Sequence, residues 1–395
     1  MKEQGLSKSQ IAIMATTAGV CVANIYYNQP ILKEMATTFH TSENKVGFIS
    51  VLTQIGYGLG LFFITPLGDK INRKKLILLL QAILVVVLFG NFFITQLNGI
   101  YAMSLLMGML AVAAHVIIPM AVSLDKQNKG RTVGIIFTGI LIGILAARVF
   151  SGYISEWLGW RYVYGISALL VLITAIMIHF SLPDIPAQFT GNYKEVLQST
   201  LQQVKRFALL RRTALLGALV FGVFCSFWTT LTFHLSGAPF FYRADAIGML
   251  GILAIGGALL APLFGKWADK GNPARLQLLA VLMLIGGIVI IKLFPYNILS
   301  FIAAVLLLDI GVQATQVTNI ATIYSLDETA HSRINTVYMT AYFIGGATGT
   351  FAGIQCWRIG GWPLLTWQLF AWGVAALIVT VSGFTLRRKM SKVQG

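Results

Sequence analysis

Charged residues are scarce: Asp, Glu, Lys and Arg together make up 11% of the 395 residues, and only 13 positions are acidic. An ordinary soluble domain carries about a quarter charged residues to cover its surface. Cysteine is scarcer still, with Cys21, Cys225 and Cys356 far apart. Three such residues exclude a disulfide framework and a cysteine metal site. The sequence also lacks a Walker-type Gly-rich loop, which excludes an ATP-driven pump within this chain. It has no nucleophile–base pair, metal cluster or lipid-phosphate motif near a membrane face, which argues against a membrane enzyme. No soluble signalling domain accompanies the apolar segments, as a non-transporting receptor or sensor would require.

What is present is apolar surface. Hydrophobic residues make up 57% of the chain and the mean hydropathy is +0.78. A helix crossing the hydrocarbon core needs ~20 apolar residues, and only helices or closed barrels satisfy backbone polar groups in lipid. The runs are continuous rather than alternating, which favours helices over barrel strands. Twelve spans are predicted, at 11–32, 46–66, 76–95, 100–123, 132–154, 162–182, 213–236, 246–266, 275–293, 297–324, 335–356 and 362–386. The first is too long for a signal-peptide core. It is also followed by Asn24, Tyr26, Tyr27 and Asn28 where a cleavage site would need small residues.

An even number of spans puts both termini on one side, and the basic residues say which. With cytoplasmic termini, the inner segments hold 22 of the 29 Lys and Arg residues. The outer face keeps six (Lys33, Lys45, Arg161, Arg243, Lys292 and Arg358), and Arg148 lies within a span. This asymmetry is a positive-inside signal. The formal charge of +16 therefore reads as topology, and no nucleic acid is expected as a partner. A multi-pass protein of the inner (plasma) membrane is expected, acting as a monomer.

The longest inner segment, 183–212, divides the spans six and six. It implies domains at 1–182 and 213–395 joined by a cytoplasmic linker. Within the linker Tyr193, Val196, Leu197, Leu201, Val204 and Ala208 recur at helical spacing beside Lys194, Lys205 and Arg206. That pattern reads either as an amphipathic helix on the inner membrane surface or as a plain linker helix. The two halves also repeat. Ser123-Leu124-Asp125 with Arg131 returns 202 residues later as Ser325-Leu326-Asp327 with Arg333, and Gly159-Trp160 returns as Gly361-Trp362. Asp69-Lys70 is echoed by Asp269-Lys270. Two parallel six-helix repeats predict a transporter that alternates access around a site between its halves.

The segment Thr65-Pro66-Leu67-Gly68-Asp69-Lys70-Ile71-Asn72-Arg73-Lys74-Lys75 resembles the signature of the major facilitator superfamily, Gly-x-x-x-Asp-(Arg/Lys)-x-Gly-(Arg/Lys)-(Arg/Lys), with Thr65 and Asn72 at its glycine positions. A second copy, Gly265 to Gly271, keeps the leading glycine. The resemblance covers nearly the whole chain. It implies an all-α membrane protein with twelve transmembrane helices in two pseudo-symmetric six-helix bundles. It further implies a conformational latch at Asp69, Arg73, Asp125 and Asp269, in which Asp69 faces the start of span eleven and Arg73 reaches Asp125. A charged loop that serves topology is the simpler reading of the same residues. Span five, Gly139-x-x-x-Gly143-Ile144-Leu145-Ala146-Ala147-Arg148, is similar to a motif of the drug:proton antiporter branch. Ile144 and Arg148 stand where that branch has Pro and Gly. Its small residues, with Gly345, Gly349 and Gly353 in span eleven, suit either sliding surfaces between the halves or tight packing.

Among the acidic residues, Asp309 alone lies near the centre of a span. A charge there costs ~3 kcal/mol on insertion scales, so such a residue faces a cavity or a partner. Asp309 is therefore a candidate proton carrier, against the reading of a permanently ionised, structurally paired Asp. Arg148 is the basic counterpart; it suits pairing with Asp309, binding of a polar substrate group, or snorkelling to the outer headgroups. Candidate substrate-binding residues are Asn24, Tyr27 and Asn28 in span one, Gln54 in span two and His115 in span four. In the second half they are Trp228 and His234 in span seven, Gln313, Gln316 and Asn319 in span ten, and Tyr338 and Tyr342 in span eleven. Interhelical hydrogen bonding is the bland alternative for half of them.

Together these readings predict a secondary exporter of small organic or amphipathic compounds driven by proton antiport, with uptake or facilitated diffusion of a metabolite as the rival. Neither a cofactor nor a metal is expected. The implied partners are the small molecule, protons and the lipid bilayer.

Overall fold

The computed structural model describes residues 6–125, 128–184, 192–253, 273–327 and 330–391, with side chains omitted for Lys129 and 384–391. Every element in these stretches is helical: α1 (Lys8–Ala23), α2 (Asn28–Thr38), α3 (Glu43–Phe63), α4 (Leu67–Lys70), α5 (Arg73–Phe93), α6 (Leu97–Leu110), α7 (Ala113–Leu124), α8 (Lys129–Leu158), α9 (Trp160–Ser181), α10 (Tyr193–Arg206), α11 (Ala208–Leu235), α12 (Ala244–Leu253), α13 (Pro273–Leu293), α14 (Ile298–Tyr324) and α15 (His331–Ser391). Among the described residues, ten helical stretches are long and apolar enough to cross a membrane. One of them, α15, holds two predicted spans joined at Gly360 and Gly361, whose backbone is non-helical. The eighth predicted span begins in α12 and continues outside the described residues.

The polar punctuation of the sequence sets the helix ends. Ser7 caps α1 in a reciprocal box: its hydroxyl accepts from the Gln10 N–H at 3.2 Å, and Gln10 Oε1 accepts from the Ser7 N–H at 3.0 Å. Asn72 caps α5, accepting from the Lys75 N–H at 3.1 Å. A glycine at this position of the signature has no side chain to do so. Gly159 (φ 100°) and Gly361 (φ 57°) turn the chain at equivalent corners of the repeat, where a β-carbon would be strained. The tryptophan after each ties the corner down: Trp160 Nε1 donates to Thr38 Oγ1 at 2.9 Å, and Trp362 Nε1 to the Ile291 carbonyl at 3.2 Å.

The chain divides into two units, Met1–Gln198 with Arg243–Gly251, and Ser199–Tyr242 with Ile252–Gly395. The division falls inside α10, and the first turns of the eighth span belong to the first unit. In that unit α8 packs on α1 so closely that a β-carbon on Gly139 or Gly143 would collide with the backbone of Ala15 or Gly19. In the second unit α15 packs on α11 in the same way, with Gly345 and Gly349 against the backbone of Ala218 and Gly222. These glycines thus hold crossings inside each unit, which corrects the reading of them as sliding surfaces. Backbone-to-backbone contact of this kind replaces hydrophobic burial as the force between helices in lipid.

In α10, Val196, Thr200 and Gln203 are buried, whereas Leu201, expected on the apolar face, is 53% exposed. The Tyr193 hydroxyl donates to the Phe63 carbonyl in the first unit. Arg206 pairs with Asp327 at 2.6 Å in the second.

Candidate functional site

Two spans of the first unit are broken near their middles. Span one is interrupted between α1 and α2, where Ile25 and Tyr26 bond back three residues to Val22 and Ala23. Span four is interrupted at Ala111 and Val112, upstream of Pro119, which has no N–H to offer the His115 carbonyl. Broken helices are tolerated at membrane depth only where other groups satisfy the freed backbone. Here side-chain amides do so: Asn24 Nδ2 donates to the Val20 and Cys21 carbonyls at 2.9 and 3.3 Å, and Asn28 Nδ2 to Ile25 at 3.2 Å.

The same amides accept from neighbouring helices. Ser167 Oγ of α9 donates to Asn24 Oδ1 at 2.8 Å, and Ser50 Oγ of α3 donates to Asn28 Oδ1 at 2.5 Å. Arg148 Nε of α8 donates to Gln29 Oε1 at 2.8 Å, and its guanidinium lies 5.2 Å from the Tyr26 ring centroid. The result is a buried polar collar of neutral amides, hydroxyls and one cation. Arg148 is 1% exposed, so it does not snorkel. Tyr27 rests against Phe150, ring centroids 5.5 Å apart. Nearby in the same unit the Tyr57 ring meets His115 edge-on at 5.8 Å, and Gln54 is buried one turn before Tyr57.

The collar contains residues that sequence reasoning passed over. Gln29, Ser50 and Ser167 complete it, and Gln29 was visible as a polar residue extending the Asn24–Asn28 cluster up to Pro30. The serines carried no signal, because a lone hydroxyl in an apolar helix usually bonds its own backbone.

The second unit is built differently. Its α14 runs unbroken, with Asp309 buried at 2% exposure and Gln313 and Gln316 half-buried along the same stripe. Asn319 leaves that stripe, since ten residues at 3.6 per turn rotate it well off the Asp309 face. It is held instead in a buried network: Gln277 Nε2 donates to Asn319 Oδ1 at 2.7 Å, and Asn319 Nδ2 donates to Tyr338 Oη at 3.3 Å and the Thr213 carbonyl at 3.4 Å. Tyr342 stacks on Phe221 at 3.9 Å, and Trp228 contacts Phe224 and Phe227. His234 lies elsewhere, at the end of α11. It stacks on Trp362 at 4.1 Å, and its Nε2 donates to the Pro295 carbonyl at 2.8 Å. That environment is a packing joint of aromatic rings and loop backbone.

At the expected latch, Arg73 pairs with Asp69 at 3.0 Å. Its remaining donors go to the Gly68 carbonyl at 3.0 Å, the Pro119 carbonyl at 3.2 Å and Ser123 Oγ at 3.4 Å. The expected reach to Asp125 is thus replaced by contacts near the end of α7, where cations complement the helix dipole. Asp125 is occupied otherwise: Thr132 Oγ1 donates to it at 2.7 Å and the Asn128 N–H at 3.2 Å. Those bonds, led by Thr132, hold its carboxyl below the usual carboxylate range against the opposing effect of burial. Asp269 lies outside the described residues. Among the described residues no group of three or more His, Cys, Asp or Glu is placed to hold a metal.

A family model, the Major Facilitator Superfamily, matches residues 12–350. The chain belongs to this superfamily. It is 35% identical over 362 residues to the uncharacterized transporter YgaY of Escherichia coli O157:H7, covering 90% of this chain and 91% of that one. A probable sugar efflux transporter of Helicobacter acinonychis is 21% identical over 333 residues, covering 82% of each chain. Among solved structures, the nucleoside transporter NupG aligns with a TM-score of 0.74 at 12% identity, over 95% of this chain and 99% of that one. A bacterial homologue of the human lysosomal transporter Spinster, in an inward-facing and unoccupied conformation, aligns at 0.71 with 15% identity, over 94% of each. The fold is the all-helical membrane fold of these transporters. The protein is a multi-pass membrane transporter of a small molecule, and not an enzyme.

Proposed function

We propose that this transporter exports small organic compounds across the bacterial inner membrane in exchange for protons, by alternating access, with both termini in the cytoplasm. Asp309 carries the reading. It is the one carboxylate placed mid-span by the sequence, it is 2% exposed, and it begins a stripe continued by Gln313 and Gln316. A membrane-buried acid that loads and releases a proton couples transport to the gradient, and the membrane potential alone supplies ~2.3 kcal/mol per charge per 100 mV. The first unit supplies neutral hydrogen-bonding groups and the single cation Arg148, which suits an uncharged or weakly polar compound held by amides and aromatic faces. The sugar-efflux relative supports export of such a compound. The Asp69–Arg73 pair supports a latch on the inner side, to which the sequence resemblance adds Asp125 and Asp269.

The test is transport in proteoliposomes under an imposed proton gradient, with candidate compounds drawn from a metabolite and toxic-compound screen. Asp309→Asn should abolish gradient-driven accumulation while leaving compound-for-compound exchange. Full gradient-driven transport by the mutant eliminates proton coupling through Asp309. Accumulation in the same direction as the proton gradient, rather than against it, assigns uptake in place of export.

A further inference from the structure

An apolar groove of about 570 Å³ runs along the first unit between α1 and α8. Ala12, Thr16 and Ala23 line one wall, and Ile135, Ile142 and Ala146 the other. Only Thr16, Thr138 and Tyr27 bring polar atoms to its lining. Ile142 at its rim is 60% exposed and Ile135 is 38% exposed. The groove stands on the side of α8 away from the residues that α12 covers: Gly248 and Gly251 pack over Arg148, and Ala244 over Gly152.

The two walls are in parallel register, because Ala15 meets Gly139 and Gly19 meets Gly143. Extending that register toward the helix starts brings Lys8 level with Arg131. Both are exposed, and both stand on the groove-lining stripes, Lys8 before Ala12 and Thr16, Arg131 before Ile135 and Thr138. The Asp125 carboxylate is buried and accepts from Thr132 and Asn128, and it also interacts electrostatically with Arg131. Neither α1 nor the first six turns of α8 contains an acidic residue. From Arg131 to Phe150, the last α8 residue of the lining, a 1.5 Å rise per residue covers about 28 Å, close to the full ~30 Å hydrocarbon core.

We infer that this groove is a binding site for one anionic phospholipid, its acyl chain lying against the small residues of α1 and α8 and its headgroup held by Lys8 and Arg131. The apolar lining and a pair of cations at one end match the two ends of such a molecule. Basic side chains at a membrane face attract anionic lipid. With the termini cytoplasmic, the lipid belongs to the inner leaflet.

The experiment uses the full-length protein, purified in detergent and stripped of lipid, titrated with phosphatidylglycerol or phosphatidylcholine and read by native mass spectrometry. One phosphatidylglycerol should be retained in preference to phosphatidylcholine. Lys8→Gln with Arg131→Gln should weaken phosphatidylglycerol about 30-fold, since each basic residue near the surface is worth ~1 kcal/mol and ~1.4 kcal/mol is tenfold. Phosphatidylcholine should be unaffected by that pair, and Lys8→Arg with Arg131→Lys should keep the preference. Ala12→Phe with Ala146→Phe, at exposed positions that tolerate bulk, should weaken both lipids by filling the groove. Equal retention of the two lipids by the parent protein, an unchanged preference in the Gln pair, or unchanged binding in the Phe pair each overturns the site. So does displacement of the lipid by a transported compound that the Phe pair also excludes, which would make the groove a substrate path. No arm depends on proton coupling, so the transport reading and the lipid site fail separately.

Discussion

The first unit breaks two of its spans and the second keeps their counterparts whole. Proline marks the difference in span four. Pro119 lies in α7, and the position 202 residues later is Ala321, inside the unbroken α14. The first unit pairs its break in span one with amides that serve freed carbonyls and accept from serines. The second has no such breaks there, and its polar groups are arranged differently: Asp309 on one face of α14 and the Gln277–Asn319–Tyr338 network on another. One repeat therefore offers neutral, deformable backbone at membrane depth and the other a rigid rod carrying an acid. On the proposed transport reading, the two copies divide two tasks, recognition by amides and titration by a carboxylate.

Exchanging the proline is the strongest way to break this contrast. Ala321→Pro removes an N–H from the end of α14 and sets a ring against the Val317 carbonyl, at a cost of about 3 kcal/mol. Pro119→Ala should leave stability equal or higher, because a carbonyl gains its helical donor. If α14 tolerated proline as readily as α7, the rigid-rod description of the second unit would fail. Thermal unfolding in detergent of both variants measures the difference.

The polar networks give a smaller contrast. Asn319→Ala takes away the acceptor for Gln277 and strands buried groups, which costs about 1–3 kcal/mol. Ser167→Ala removes one donor to Asn24, whose Nδ2 still serves α1, and membrane hydrogen bonds of this kind average ~0.6 kcal/mol. A larger loss for Ser167→Ala than for Asn319→Ala would show that the collar, not the α14 network, is the tighter joint. Denaturant or thermal unfolding of the purified variants gives the order.

These contrasts also show what the sequence made legible. Hydropathy located the spans that fall within the described residues to within a few residues, and Gly159 and Gly361, 202 residues apart, both adopt positive φ. The span-one cluster stood out as polar side chains within an apolar run, yet nothing in the residues said that the helix itself breaks there. Hydropathy sees composition, whereas a break depends on whether neighbouring helices can satisfy freed carbonyls. Asn319 was grouped with Asp309 because seven to ten residues of spacing look alike on a short stripe. Rotation along the helix separates them. His234 was grouped with the candidate binding residues because a span-borne histidine carries no mark of depth, and the stacking on Trp362 that fixes it is remote in sequence. Arg73 was matched to Asp125 through the family pattern. Thr132, seven residues past Asp125, is better placed to take that carboxylate, since the start of α8 carries its hydroxyl back toward the loop.

The finest contrast lies between the paired aspartates of the repeat, Asp125 and Asp327. Asp125 is held by hydroxyl and amide donors that keep its carboxyl below the usual range near 3.9. A depressed folded-state pKa means stability that is present above the unfolded value and lost as the pH falls through the folded one. Asp125→Asn should therefore unfold at a lower temperature than the parent at pH 5–7, with the gap closing as the pH falls below the usual carboxylate range. Asp327 instead meets Arg206, whose side chain is 58% exposed, in a pair of the kind worth ~0–1 kcal/mol. Loss of that pair in Asp327→Asn should register at low ionic strength and disappear in molar salt, where charges are screened beyond ~3 Å. Thermal unfolding of both mutants across pH and salt separates the two cases. An Asp125→Asn gap that salt erased would mean its carboxylate answers to Arg131 rather than to Thr132, and the two copies of the motif would then be electrostatically alike.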